Sequence, residues 1–153
     1  MAFSAVPRTA AGATISISAT LPASITQTAY AALTWALVGE VTNIGEIGRA
    51  WQVATHQALA KDYADKLKST YDDGQVAIQA AYAPGDAGQV IVTAAVESKN
   101  GYSFKITQDD GEIRYFQALV LSAPVTTGAS GDIIGCTINT DILNATTKTV
   151  APA

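Results

Sequence analysis

The chain has 153 residues, of which 48% are hydrophobic and 14% charged, with a net charge of −4 at neutral pH. That length suits one domain with one core, and the charged fraction is low against about 25% for average globular chains. The acidic balance argues against a protein built to grip nucleic acid, because gripping needs clustered Lys and Arg to displace counterions from phosphates. The nine basic residues are instead scattered from Arg8 to Lys148. A surface so poor in charge fits two readings: it is covered by partners, or it is a small-residue β-protein kept soluble by Ser and Thr.

Residues 1–29 are rich in Ala, Ser and Thr and read as an N-terminal arm. Within them Thr14-Ile15-Ser16-Ile17-Ser18 alternates, so a short strand and an extended arm ordered by a partner both remain open. No apolar run follows Arg8, so neither a signal peptide nor a membrane span is expected, and the chain reads as cytoplasmic. Residues 30–144 read as the main domain and 145–153 as a frayed tail. Tyr30 to Val41 is dense in β-formers and ends on the turn signal Thr42-Asn43-Ile44-Gly45. Gly45 to Tyr71 is undecided: Arg49 to Thr55 suits a strand, and Gln57 to Lys68 suits a helical turn or a long excursion.

Asp72-Asp73-Gly74 is a turn, and Gln75 to Tyr82 alternates as a strand with Val76, Ile78, Ala80 and Tyr82 on one side. Pro84-Gly85 stops it. Asp86 suits a helix N-cap, Gln89 completes a capping-box spacing, and a helix is expected to about Ser98 with Val90, Ile91, Ala94 and Ala95 against a sheet. Tyr102, Phe104 and Ile106 alternate toward a tight turn at Asp110-Gly111, and a return strand runs to about Ser122. After a Ser/Thr/Gly/Pro loop, the last strand is expected from Ile133 to about Ile142. The order predicts a mainly β protein, a β-sandwich or partial barrel with one flanking helix.

No catalytic set emerges. His56 is the single histidine and Cys136 the single cysteine, so no His- or Cys-based metal site and no internal disulfide is expected. His56 reads as plain surface and Cys136 as a buried thiol. Asp72-Asp73-Gly74 and Asp109-Asp110-Gly111 lack the further oxygen ligands of a calcium loop and read as turns. Gly45-Glu46-Ile47-Gly48 lacks the Lys of a phosphate loop. Trp35 and Trp51 suit core or interface packing better than a ligand platform. No enzyme activity, cofactor or metal is expected.

Several stretches, in order, resemble the tail tube (major tail) proteins of long-tailed bacteriophages. They are Trp35-Ala36-Leu37-Val38-Gly39-Glu40-Val41, Ile44-Gly45-Glu46, Lys66 to Gly74 leading into Val76-Ala77-Ile78, and Asp86-Ala87-Gly88-Gln89. Tyr102 to Ile106, Asp110-Gly111, Tyr115-Phe116-Gln117-Ala118 and Gly135-Cys136-Thr137-Ile138 continue the pattern. The similarity covers about residues 30–142; the first 29 residues depart from it, and the immunoglobulin-like domain of some relatives is missing. The resemblance implies a protomer that closes with its neighbours into a ring-shaped β-barrel. Six copies form a ring, and stacked rings form the tube that conducts double-stranded DNA into the host. It also implies a tape-measure protein, a tail terminator and distal tail proteins as partners, with no membrane, and a place in the virion tail after assembly in the bacterial cytoplasm.

On that reading the excursion Gly45–Tyr71 touches the next ring, with Arg49, His56, Leu59, Lys61, Asp62, Asp65 and Lys66 as contact residues. Gln75 and Gln79 are the lumen candidates. The alternatives are the inner tube of a contractile tail, tailocin or type VI secretion system, and a β-sandwich module that binds glycans.

Overall fold

The computed structural model describes residues 5–143 and the strand Thr147–Val150, of the latter only the backbone. Thirteen elements follow in chain order: β1 Thr14–Ser18, α1 Gln27–Ala31, β2 Ala36–Val38, β3 Val41–Asn43, β4 Ala50–His56, β5 Asp65–Asp72, β6 Gln75–Ala81, α2 Ala87–Glu97, β7 Tyr102–Thr107, β8 Ile113–Ser122, β9 Val125–Thr126, β10 Gly135–Ile142 and β11 Thr147–Val150. Strands β4 and β5 pair only with each other. The other nine form one sheet whose main path runs β2-β1-β7-β8-β10-β6-β3, with β9 on β10 and β11 on β8.

The two ends of that path, β2 and β3, are consecutive in the chain and separated only by Gly39 and Glu40. The sheet therefore curls to bring its ends near one another without pairing them, a partial barrel as expected. Glu40 takes a left-handed backbone (φ 59°) in this link, a conformation that a non-glycine residue adopts only when its surroundings impose it. Ile15, Ile17, Val76, Ile78, Phe104, Phe116 and Ile138 line the inside and are buried. Each such side chain contributes roughly 1.5–3 kcal/mol relative to exposure. Phe104 and Phe116 stack across β7 and β8 with centroids 5.1 Å apart.

Helix α2 packs on this core from β1, β2 and β8. Asp86 caps it, its Oδ2 accepting from the Gln89 amide at 3.0 Å. The Gln89 side chain does not reach back to the cap residue, as a capping box would have it. Its Oε1 accepts from the Ala83 amide at 2.9 Å, and its Nε2 donates to the carbonyls of Ala81 (2.9 Å) and Gly39 (3.2 Å). Asp86 Oδ2 also accepts from the Gly39 amide at 3.1 Å. The buried stripe is Gly88, Gln89, Val92 and Ala95, whereas Val90 and Ala94 face outward, a quarter turn from expectation. The reason is Gly88: a Cβ there would lie 2.4 Å from the Leu37 carbonyl oxygen, so the helix rests its backbone directly on β2.

Several further expectations give way. Thr14–Ser18 is an interior strand between β2 and β7, so residues 1–29 are not wholly an arm. Tyr30 belongs to α1, not to a strand: Thr26 Oγ1 caps the helix through the Ala29 amide, and Tyr30 stacks on Tyr115 at 4.9 Å. Trp35 Nε1 donates to the Tyr30 carbonyl at 3.1 Å, so aromatic docking on the outer face of β8 overrides strand propensity. There is thus a second, short helix. The tail is not frayed at Thr147–Val150, which pairs with β8; the rest of 144–153 lies outside the described residues.

Gln89→Ala leaves one amide and two carbonyls without their partner at a closed junction. We expect it to lower unfolding stability by about 2–4 kcal/mol, read by urea denaturation. Gly88→Ala should lower it further, because the obstructing atoms are backbone. A Gln89→Ala loss below about 1 kcal/mol would mean that the junction closes without this amide.

Candidate assembly surfaces

The strand read over Arg49 to Thr55 is present as β4, but Gln57 to Lys68, expected as a helical turn or a long excursion, turns back into β5, so the segment is a β-hairpin. β4 and β5 pair antiparallel from Ala50↔Asp72 to His56↔Asp65, and every residue of β4 is exposed. At about 3.3 Å per residue the strands span roughly 25 Å. An isolated two-stranded hairpin is marginal in water, and this one also shows solvent large apolar side chains: Val53 at 59%, Leu67 at 71%, Tyr63 at 63% and Leu59 completely.

The hairpin is fixed at its base. Arg49 Nε donates to Asp73 Oδ1 at 2.9 Å, and Asp73 is buried. The guanidinium also lies 3.8 Å from the centre of the Tyr71 ring, and Tyr71 meets Trp51 edge-on at 4.9 Å. The hydrogen bond to Asp73 raises the Arg49 pKa above its ordinary value, partly offset by desolvation. Gly74 turns the chain into β6 with φ 80°, its amide donating to Asp72 Oδ1 at 2.9 Å.

The residues expected to touch a neighbour therefore occupy three places. Arg49 sits at the base, engaged within its own chain. His56 and Asp65 face each other near the far end, and Lys66 is opposite Thr55. Leu59, Lys61 and Asp62 form the tip, where Lys61 Nζ donates to Asp65 Oδ2 at 2.8 Å. Trp51, for which interface packing was one expectation, belongs to the same hairpin, as do Val53, Tyr63, Leu67, Lys68 and Tyr71, which were missed. Their signal in the sequence is an apolar–basic alternation interrupted where Ser69 and Thr70 together face Gln52, a break in register between Trp51 and Val53.

Gln75 and Gln79 are exposed on β6, on the side away from the core. Register places Asp141 beside Gln75, Asn139 beside Ala77 and Thr137 beside Gln79. This open face of β6 and β10 carries amides, hydroxyls and one carboxylate, with no Lys or Arg. The outer face of β1 and β7 is different, being covered by residues 20–35.

The N-terminal segment is tied down. Arg8 pairs with Asp110 and Glu112, and Glu112 also accepts from Arg114 Nε at 3.0 Å. The hydrogen bond to Asp110 raises the Arg8 pKa. Between this segment, Ile44–Ile47 and the β7–β8 turn lies a cavity of about 410 Å³, flanked by ion pairs already formed. Burial raises the pKa of Cys136, which stays a thiol in the wall of a shallow groove beside α2. Among the described residues no group of three or more His, Cys, Asp or Glu is placed to hold a metal ion, and no helix is long and apolar enough to cross a membrane.

Asp73→Ala releases Arg49 from the hairpin base. We expect faster amide hydrogen exchange throughout residues 50–72 with β7 and β8 still protected. Unchanged exchange in the hairpin would show that backbone pairing alone sets its attitude.

No family model matches the sequence, and no curated protein sequence matches it. Solved structures do match. A chain of the anti-feeding prophage (AFP) baseplate, from a 6-fold symmetrised cryo-EM structure, superposes with a TM-score of 0.70 at 8% identity. The match covers 97% of this chain and 98% of that one. The SPP1 tail tube, from solid-state NMR and cryo-EM, gives a TM-score of 0.65 at 12% identity, over 92% of this chain and 78% of that one. The curled sheet, its flanking helix α2 and the chain's near-complete overlap with both make this the fold of a phage tail tube protein.

Proposed function

We propose that the protein is the structural subunit of a phage-type tail tube, with no enzymatic role. Six copies close into a ring around a lumen, and rings stack into a tube that conducts double-stranded DNA from the virion tail into the host. The observation that carries this reading is the β4–β5 hairpin, a two-stranded ribbon with its large apolar side chains in solvent. The main sheet curls so that its two end strands are joined by Gly39–Glu40, and the hairpin projects from it with both faces in solvent, a surface that calls for a partner. The likeness to the SPP1 tail tube supplies the kind of assembly, and the 6-fold symmetry of the AFP baseplate supports the number of copies.

In this assembly the tip of the hairpin, with Leu59, Lys61 and Asp62, reaches the next ring. The open face of β6 and β10, with Gln75 and Gln79, lines the lumen. DNA held through several phosphate contacts binds with steeply salt-dependent affinity. A face of amides and one carboxylate gives it nothing to hold. The tape-measure protein occupies the same lumen during assembly, and terminator and distal tail proteins close the two ends. Assembly takes place in the bacterial cytoplasm.

A second reading is the inner tube of a contractile particle. It is favoured by the AFP baseplate chain, which this chain matches over nearly its whole length, against 78% of the SPP1 chain.

Negative-stain microscopy of the purified protein over a concentration series tests the proposal: rings or hollow tubes support it, and uniform small particles at every concentration count against it. Reversing the tip charges, Lys61→Glu with Asp62→Lys, should impair tube formation while the monomer still melts as a folded protein. Normal tubes would remove the tip from stacking. Deleting residues 2–12 should weaken assembly more than stability. A lower melting temperature with normal assembly would confine that segment, and its Arg8 contacts, to an internal role.

A further inference from the structure

The hairpin has two unlike faces. The register pairs Trp51 with Tyr71, Val53 with Lys68 and Thr55 with Lys66, and directly paired residues share a face. Lys68 Nζ lies 5.5 Å from the Trp51 ring centre, and Arg49 stacks on Tyr71, so both cations belong to that face. The opposite face pairs Ala50 with Asp72, Ala54 with Leu67 and His56 with Asp65. The first face carries Lys66 and Lys68, with Arg49 at its base already bonded to Asp73. The second carries Asp72 and Asp65, and the Asp65 carboxylate already accepts from Lys61 Nζ of the tip at 2.8 Å.

This segregation is unusual for the chain. Residues 49–72 hold four of the nine basic residues and only three of the thirteen acidic ones. Each face also exposes apolar surface: Trp51 and Val53 on one side, Leu67 on the other.

We propose that the hairpin stem is complementary to itself between copies: the Trp51–Lys68 face of one chain packs on the Asp65–Asp72 face of the next chain's hairpin. The inference rests on the tube reading and names the contact between neighbours in a ring, leaving the tip for stacking. Its occupant is a second copy because the complement of each face is the other face of the same ribbon. Two sheets pack about 10 Å apart. At that spacing the Lys stems and aromatic rings cover Leu67 while the ammonium groups reach Asp65 and Asp72. The contact joins two different surfaces, so repetition by rotation closes a ring or advances along a helix, and never stops at a dimer. Like faces repel, which allows neighbours to meet in one sense only.

The test uses the full chain and two double variants, Lys66→Glu with Lys68→Glu and Asp65→Lys with Asp72→Lys. Sedimentation velocity and microscopy read assembly, and thermal melting reads folding. Each variant alone opposes like charges, and its onset concentration for assembly should rise by about tenfold or more. Mixed in equal amounts, the two should assemble again, because every contact in an alternating ring then joins unlike charges. The single variants Lys68→Glu and Asp72→Lys carry the same test if losing the Lys61–Asp65 pair unfolds the second double variant. Variants that assemble alone as the wild type does would overturn the face pairing and leave the tube reading intact; edge-to-edge pairing of hairpins predicts this result. Folded variants that fail both alone and mixed would also overturn it, since the faces then do not meet. A wild-type chain that never assembles would overturn the tube reading and this contact with it.

Discussion

The fold hangs on one junction. Gln89 and Asp86, at the start of α2, hold the Gly39 link between β2 and β3 and the end of β6 in place through four hydrogen bonds to main-chain atoms. Gln89 is 5% exposed, and both atoms of its amide are used. A buried amide so satisfied stabilises, and the same amide half-satisfied would cost more than an apolar residue in its place. Gly88 is the condition for this. Only a residue without Cβ lets the helix come close enough to β2 for the glutamine to reach across.

Curling the sheet has a consequence for assembly. Edge strands invite pairing with other chains, and here the two ends of the main path are three-residue strands joined to each other. The body thus offers little to a neighbour by backbone pairing. In the proposed assembly the chain between β3 and β6 takes over that role, as a ribbon that buries neither face. The Arg49–Asp73 pair aims it, setting the direction of the ribbon against the curled body instead of leaving it to the turn residues.

How much of this is legible in the sequence follows from the range of the interactions. Strands β6, β7, β8 and β10 are legible because each has one buried face, which writes period two into the residues. The start of α2 is legible because capping is local. Of the hairpin only β4 is legible; β5 is not, since a ribbon with both faces in solvent has no apolar face to alternate, and the irregularity at Ser69–Thr70 shifts what pattern there is. The buried stripe of α2 is half legible: Ala95 is buried and Ile91 packs on the core as the pattern has it, but Gly88 and Gln89 make contacts that hydrophobicity does not mark. Helix α1 is invisible for a different reason. Tyr30 is buried by Tyr115, which lies 85 positions away in the chain. At the assembly surface the charged residues were visible as a group. Their division into base, tip and two faces depends on register, and register is set by pairing across the ribbon.

On the proposed reading, the same division resolves a conflict in the electrostatics of a DNA conduit. A subunit needs cations to direct its contacts, yet cations facing the lumen would hold the cargo. Among the described residues Arg8, Arg49, Lys61 and Arg114 are already paired with carboxylates of their own chain. Lys66 and Lys68 lie on one face of the hairpin, which in the proposed ring is covered by the carboxylates of the next copy. What the open face of β6 and β10 then presents is Gln75, Gln79, Thr137, Asn139 and Asp141, groups that hydrogen-bond water as readily as phosphate. In the proposed tube most of the positive charge holds the chain or the ring together, Lys105 lies over Trp35, and assembly and passage draw on separate surfaces of the same acidic protein.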